Sequence, residues 1–362
     1  MRSPPFCPNP DCTYHAHPPK RKWFWKSGHY HTRVFGTVQR FICLSCSRRF
    51  GTQTFSIDYY AKKKINYRLI DKQLRSTGSI RDISRDLSCS TDTVLNRISR
   101  LAKNAIDAHT SLCATAPYLE DLVADGFESF CVSQYFPNNI TLLAGKDSQY
   151  LYFANYCTLR RKGRMTNTQK LRREQLEKRW KADPQAVKKA FDEIVDVIPD
   201  VFGTQRLYTD EKREYVMSVT HRCDENQILH VRISSKLPRT VRNQLFSVNY
   251  LDREIRKDCA NHVRETVCFS RDVNNCMERL WVYFVYHNYR KRYRIGSEDE
   301  RTHAEVAGIE RTEVMRGLRG YYTRRSFLSL SKVTGSMREL WLRRLETPLK
   351  GAPAYVPNHL VA

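Results

Sequence analysis

The chain has 362 residues, with 62 Lys and Arg against 38 Asp and Glu, a formal charge of +24 spread along its length. That length allows two or three domains with a sizeable core. The charge points to a polyanionic partner, nucleic acid first and an anionic membrane surface second. No run approaches the ~18 apolar residues of a spanning helix. The start, Met1 to Cys7, has no apolar signal-peptide centre, so a cytoplasmic protein is expected. Four of the 12 cysteines cluster near the N-terminus, which in a reducing compartment suggests metal rather than disulfides. The other cysteines read as small buried apolar residues.

The first predicted unit spans residues 5–50. It holds Cys7-x4-Cys12 and, later, Cys43-Leu44-Ser45-Cys46, two short-spaced pairs that fit a four-thiolate zinc ribbon. Trp23, Phe24, Trp25, Tyr30 and Val34, then Val38, Phe41 and Ile42, read as its strands. A core this small needs a metal to fold. Four unrelated thiols are the plain alternative, with His15, His17, His29 and His31 as substitute ligands or surface residues. Lys20, Arg21, Lys22 and Lys26 make the unit basic, which suits DNA or a protein surface.

Residues 62–105 read as helices. Tyr67, Ile70 and Leu74 mark one; Ile80, Ile83 and Leu87 a second, capped by Ser79; Val94, Ile98 and Leu101 a third, capped by Thr91. The turn Ser88-Cys89-Ser90 makes the last two a helix-turn-helix. Its exposed DNA-reading side chains are expected to be Thr91, Asp92, Thr93, Asn96, Arg97 and Arg100, because Asn and Arg suit bidentate base contacts. An ordinary helical pair packed on the next domain is the alternative. Residues 104–117 read as a connector that starts helical.

From 118 to 295 the texture is α/β. Leu122 to Phe130, Ile140 to Ala144 and Tyr150 to Tyr156 read as an antiparallel meander, the first strand carrying Asp125. Asp121 suits a cap or turn. A basic insertion covers about 158–198; its charges form either a solvated face or a phosphate contact. A helix then holds Val187, Ala190, Phe191 and Ile194, ending at Pro199-Asp200. Next comes Leu207-Tyr208-Thr209-Asp210, a short buried strand ending on a carboxylate, the way many metal-dependent phosphoryl-transfer sites begin. Ile228 to Ile233 is another strand, and Lys236 to Arg242 a basic loop. Val248, Leu251 and Ile255 mark a helix whose flank holds Asn249, Asp252, Arg253 and Arg256, by itself an ordinary solvated face. Asn274 to Tyr289 reads as an aromatic core helix. Residues 296–362 read as a helical, partly disordered extension with a frayed Pro- and Ala-rich end.

Taken together, Cys7/Cys12/Cys43/Cys46, Ala124-Asp125-Gly126-Phe127, Tyr208-Thr209-Asp210 and the run Arg264 to Arg271 resemble the DDE transposases of bacterial insertion sequences, the insertion-sequence-one type in particular, over about residues 5–290. That resemblance implies a multidomain chain: zinc ribbon, all-α helix-turn-helix, then an α/β ribonuclease-H-like catalytic domain with a helical C-terminal tail. It implies DNA cleavage and strand transfer with two Mg²⁺ ions, a structural Zn²⁺, DNA as element ends and target, no membrane partner, and a homo-oligomer, with a dimer expected. Asp125, Asp210 and Asp252 would be the catalytic acids, and Lys236, Arg253 and Arg256 would hold phosphates. One departure stands out. Counted back from Phe269-Ser270, the family's Glu position falls on Asn249 and its Asn position on Asp252, while its Arg position matches Arg256. Asp252 lies about 60° around the helix from that Glu position and Glu254 about 140°. Glu254 and Glu278 are rivals for the third acid. An inactive DNA-binding regulator, or a two-metal nuclease without strand transfer, are the alternative functions.

Overall fold

The computed structural model describes residues 3–198, 206–226, 228–296 and 298–351. The helix end expected at Pro199-Asp200 and the frayed end beyond 351 lie outside the described residues. The fold is mixed α/β, with the four cysteines drawn together near the N-terminus.

A single turn, α1 (Thr13–Ala16), precedes an antiparallel sheet of β1 (Phe24–Thr32), β2 (Gly36–Cys43) and β3 (Arg49–Gly51) in that order. Gly36, at φ +65°, closes the β1–β2 turn opposite Thr32, a backbone region that glycine enters without strain. Along β2 the buried positions are Val38, Phe41 and Cys43. Trp23, Phe41 and Phe50 join three of the cysteines in a small core of their own, with the Trp23 and Phe50 rings stacked at 6.0 Å.

Three helices follow: α2 (Tyr67–Leu74), α3 (Ile80–Asp86) and α4 (Thr91–Cys113). Ser79 caps α3 as expected, accepting from Asp82 N at 3.1 Å while the Asp82 carboxylate answers Ser79 N. The α4 cap is Ser90 and not Thr91: Ser90 Oγ accepts from Thr93 N at 3.2 Å. Helix α4 does not stop near 103. Ser99, Ala102, Ile106 and His109 keep one face, and it lies on the aromatic helix α9 (Val273–Tyr289), so packing holds the connector helical.

The larger sheet has five strands in the order β6-β5-β4-β7-β8. Strands β4 (Leu122–Phe130), β5 (Pro137–Gly145) and β6 (Leu151–Thr158) form the expected antiparallel meander. Strands β7 (Arg206–Asp210) and β8 (Leu229–Ile233) add on in parallel. Two helices inside the basic region, α5 (Asn167–Glu177) and α6 (Ala186–Asp196), lead to β7, and α7 (Arg213–Asn226) joins β7 to β8. Parallel neighbours need such a crossover, because a hairpin cannot return the chain in the same direction. Strand β5 is buried along nearly its whole length, with α6 on one face and α8 (Phe246–Asp258) on the other. Asp121 pins the entry of β7: its carboxylate accepts from Arg206 N at 3.1 Å and from Tyr208 Oη at 3.3 Å.

After residue 296, helices α10 (His303–Val306), α11 (Arg311–Gly317) and α12 (Gly335–Trp341) pack into the main core. Trp341, Leu340 and Ala304 are buried there, and Asn274 holds Leu345 through both its backbone groups. One apolar cluster thus runs from Ile57 to Leu342, and the helices before the sheet share it. Among the described residues, no helix is long and apolar enough to cross a membrane.

Candidate functional site

The first candidate centre is the cysteine cluster. The Sγ atoms of Cys7, Cys12, Cys43 and Cys46 all lie within 4.8 Å of one another. Strand β2 delivers Cys43, the turn after it delivers Cys46, and the α1 hairpin supplies the other pair. Burial pushes the Cys7 and Cys43 thiols up. Burial also raises Cys46, but the Arg48 backbone N–H, Asn9 and the neighbouring thiols outweigh it and bring it down to about 7. Four soft donors closing on one point fit a metal ion such as zinc. His15 is not a ligand: its Nδ1 donates to Cys7 O at 2.6 Å and its Nε2 meets Ser329 Oγ at 2.7 Å.

The second is a carboxylate cluster on the large sheet. Strands β4 and β7 pair in parallel through Leu122–Leu207 and Val123–Tyr208. Two steps further along each strand, Asp125 and Asp210 come level on the same face, since side chains alternate with period two. Helix α8 covers that face and brings Asp252 down onto it. Burial, then the charge of Asp210, pushes the Asp125 carboxyl up to about 6, against Gly126 N–H, Lys212 and Arg239. Burial, then Asp125, pushes Asp252 up to about 8, against Arg256 and Arg239. Three crowded acids resist shared ionisation unless a cation joins them. Among the described residues, the four cysteines are the one group of His, Cys, Asp or Glu side chains gathered closely enough to hold a metal ion, and the three acids do not form a second.

Local sequence explains the approach. Asp125 Oδ1 accepts from Gly126 N at 2.7 Å, and a Cβ on Gly126 would sit 2.0 Å from Asn139 Nδ2 on β5. Asp210 Oδ1 accepts from Lys212 N at 2.9 Å, which turns the chain into α7. Lys212 and Arg239 are the cations that act on Asp125; their signals in the sequence are a place two residues past Asp210 and a place in the basic loop. Tyr215 and Asn139 are buried together against the sheet, and Asn249 Nδ2 on α8 is buried with no hydrogen-bond partner.

Other expected residues have different employment. Glu254 is paired with Lys291 and Lys257. Glu278 accepts from Ser99 Oγ and from the Arg343 guanidinium, both at 2.6 Å, within the α4–α9 packing. Neither faces the acid cluster. Arg97 and Arg100 are buried, contrary to their expected exposure. Arg100 donates to Ile57 O at 2.8 Å and Tyr59 O at 2.6 Å, and Arg97 to Lys63 O at 2.9 Å. These backbone carbonyls belong to the connector before α2, which would otherwise hold unsatisfied acceptors. Asn96 is exposed, yet its Oδ1 accepts from both arginines. That leaves Thr91, Asp92 and Thr93 at the open end of α4. Arg256 binds Glu128 O at 2.8 Å and lies over the Phe127 ring, fastening α8 to β4, whereas Lys236 and Arg253 are exposed. Of the scattered cysteines, Cys131, Cys157, Cys259 and Cys276 are buried, while Cys89, Cys113 and Cys268 are partly exposed.

The sequence matches no protein-family model and no curated protein.

Proposed function

We propose that the chain is a metal-dependent DNA strand-cleaving and strand-joining enzyme, a transposase of the DDE type with a ribonuclease-H-like catalytic region. The observation that carries this reading is the meeting of Asp125, Asp210 and Asp252 on one sheet face, from two adjacent parallel strands and the helix above them. The strand order β6-β5-β4-β7-β8, with a meander followed by two parallel strands, supports it, as does the charge of +24. The oxygen donors suit Mg²⁺, which when bound supplies charge stabilisation for the attacking and leaving oxygens of a phosphodiester.

The chain's own residues do the rest. Asp125 and Asp210 hold their carboxylates on rigid strands, Asp252 closes the cluster from α8, and Arg256 fixes that helix. Lys212 and Arg239 offset the acids' charge and stand where a phosphate can be held. Zinc at Cys7, Cys12, Cys43 and Cys46 holds the N-terminal unit, whose exposed Lys20, Arg21 and Lys22 offer a DNA surface. In the family pattern Asn249 stands at the Glu position, which favours a second reading, a DNA-binding regulator without catalysis.

The test is incubation with labelled duplex ends and plasmid plus Mg²⁺ or Mn²⁺. Joined products support the transposase; nicks alone indicate a nuclease, and a mobility shift alone the regulator. Asp210→Asn is expected to reduce cleavage by at least ~100-fold, since metal stabilisation amounts to several kcal/mol, with DNA binding unchanged. Loss of cleavage and binding together would count against a catalytic role.

A further inference from the structure

Between the N-terminal half of α8, the loop before it and the turn after β5 lies a cavity of about 840 Å³ that the acid cluster does not use. Phe246, Tyr250 and Arg253 line it from α8 at spacings of four and three, a stripe that elsewhere would be core but here faces an opening. Lys146, Arg242 and Arg294 face them, so four cations surround a space with one lining carboxylate, Asp147. Arg242 and Arg294 are exposed, and Lys146 is 3.8 Å from Asp121.

The aromatic rings are fixed. Tyr250 Oη accepts from Lys291 Nζ at 2.9 Å, and Tyr293 Oη donates to Asp147 O at 2.7 Å. Arg253 lies 5.3 Å from the Tyr250 ring centroid, and Arg294 lies 5.3 Å from that of Tyr293. A duplex needs only a basic surface, because its bases are stacked inside. A concave, cationic space walled by immobile rings fits bases that have left the stack, with phosphates on the arginines and ring faces against the bases. Arg253 follows Asp252 in the chain but stands about 100° further round α8, on its exposed side.

We propose that this cavity binds an unpaired segment of DNA; the proposal rests on the DNA reading above but not on catalysis. The test uses the full chain, labelled oligothymidylate and a labelled duplex, with fluorescence anisotropy across a salt series. The variants are Arg242→Ala/Arg294→Ala, confined to exposed side chains, and Tyr293→Leu. Single-strand affinity is expected to fall roughly tenfold or more in each. The log–log salt slope should drop by about 1.4 in the double variant, two contacts at ~0.7 each for single strands. Duplex affinity should stay within about twofold on the same scale. An equal fall for both DNA forms, or no fall for either, overturns the proposal, as does displacement of oligothymidylate by polyglutamate at matched charge, which would mark a protein site. Wild-type chain that cleaves DNA while the double variant binds single strands unchanged removes this inference and leaves the catalytic reading. Chain that binds single strands through the cavity but never cleaves does the reverse.

Discussion

Gly126 shows how one missing atom shapes the carboxylate site. Its Cβ would meet Asn139 Nδ2 at 2.0 Å, so Gly126→Ala must shift either Asn139 or the strand that carries Asp125. A loss of about 1–3 kcal/mol is expected from such overpacking, read by urea unfolding. Glu278 is a different case. It is buried with Ser99, Arg343 and nearby Lys103, so Arg343→Ala removes its hydrogen-bonded cation and leaves Lys103 as the one cation beside it. A cost of about 3–5 kcal/mol is expected, and Glu278→Gln with Arg343→Ala should recover part of it. His109, His287 and His303 contribute a pH dependence on the acid side. Burial pushes His109 and His303 down to about 4, and burial, then His303, pushes His287 well down. Around the latter pair stand Tyr250, Tyr293, Lys291 and Glu254. The folded state keeps these rings neutral while the unfolded chain takes up protons below the ordinary His value, so their contribution is complete above about 6.5 and falls toward pH 4, whereas Asp125 and Asp252, held up at about 6 and 8, act in the opposite sense as pH rises. His109 alone accounts for on the order of 3 kcal/mol at the acid end. His109→Gln should flatten that slope in unfolding measured between those limits; an unchanged slope would sink the assignment.

At the scale of elements, the cysteine unit has little packing of its own, so its stability is expected to depend on a metal held by the four thiols. Its core is a handful of aromatic rings around the thiols. Chelation, or Cys43→Ser, is expected to melt β1–β3 and expose Trp23, seen as a red shift in tryptophan emission, with zinc restoring the signal only in the wild type. His15 joins Cys7 O to Ser329, so the melted unit should also free the 321–330 segment, detectable as faster tryptic cleavage at Arg324 and Arg325. Helix α4 shows why a basic helix need not read DNA. Arg97 and Arg100 satisfy carbonyls of the connector before α2, and periodicity alone cannot tell a cation aimed at solvent from one folded back on its own chain. Helix α8 shows the converse: Asp252, on a flank that reads as ordinary surface, is turned onto the sheet beside Asp125.

For the whole molecule, the continuous core from Ile57 to Leu342 makes cooperative unfolding the expectation for everything beyond the cysteine unit. Residues after 296 belong to that core through Ala304, Val333, Leu340 and Trp341. Truncation before α10 is therefore expected to give aggregated or molten chain, judged by loss of near-ultraviolet dichroism. Retention of a sharp unfolding transition would show the segment to be dispensable.

Local rules reached much of this architecture. Apolar runs between turn residues placed β4 to β7 and an alternating run placed β8, apolar spacings of three and four placed α2, α3, α6, α8 and α9, and cysteine spacing marked the cluster of four thiols. Each of these depends on neighbours within a few residues. Other features depend on contacts between distant segments: the unbroken length of α4, the level meeting of Asp125 with Asp210, the descent of Asp252, the burial of Glu278 and the seating of residues 296–351. A charged residue looks the same in sequence whether water, a carbonyl or another carboxylate faces it. Only the tertiary structure determines which, because burial and charge neighbours set its chemistry.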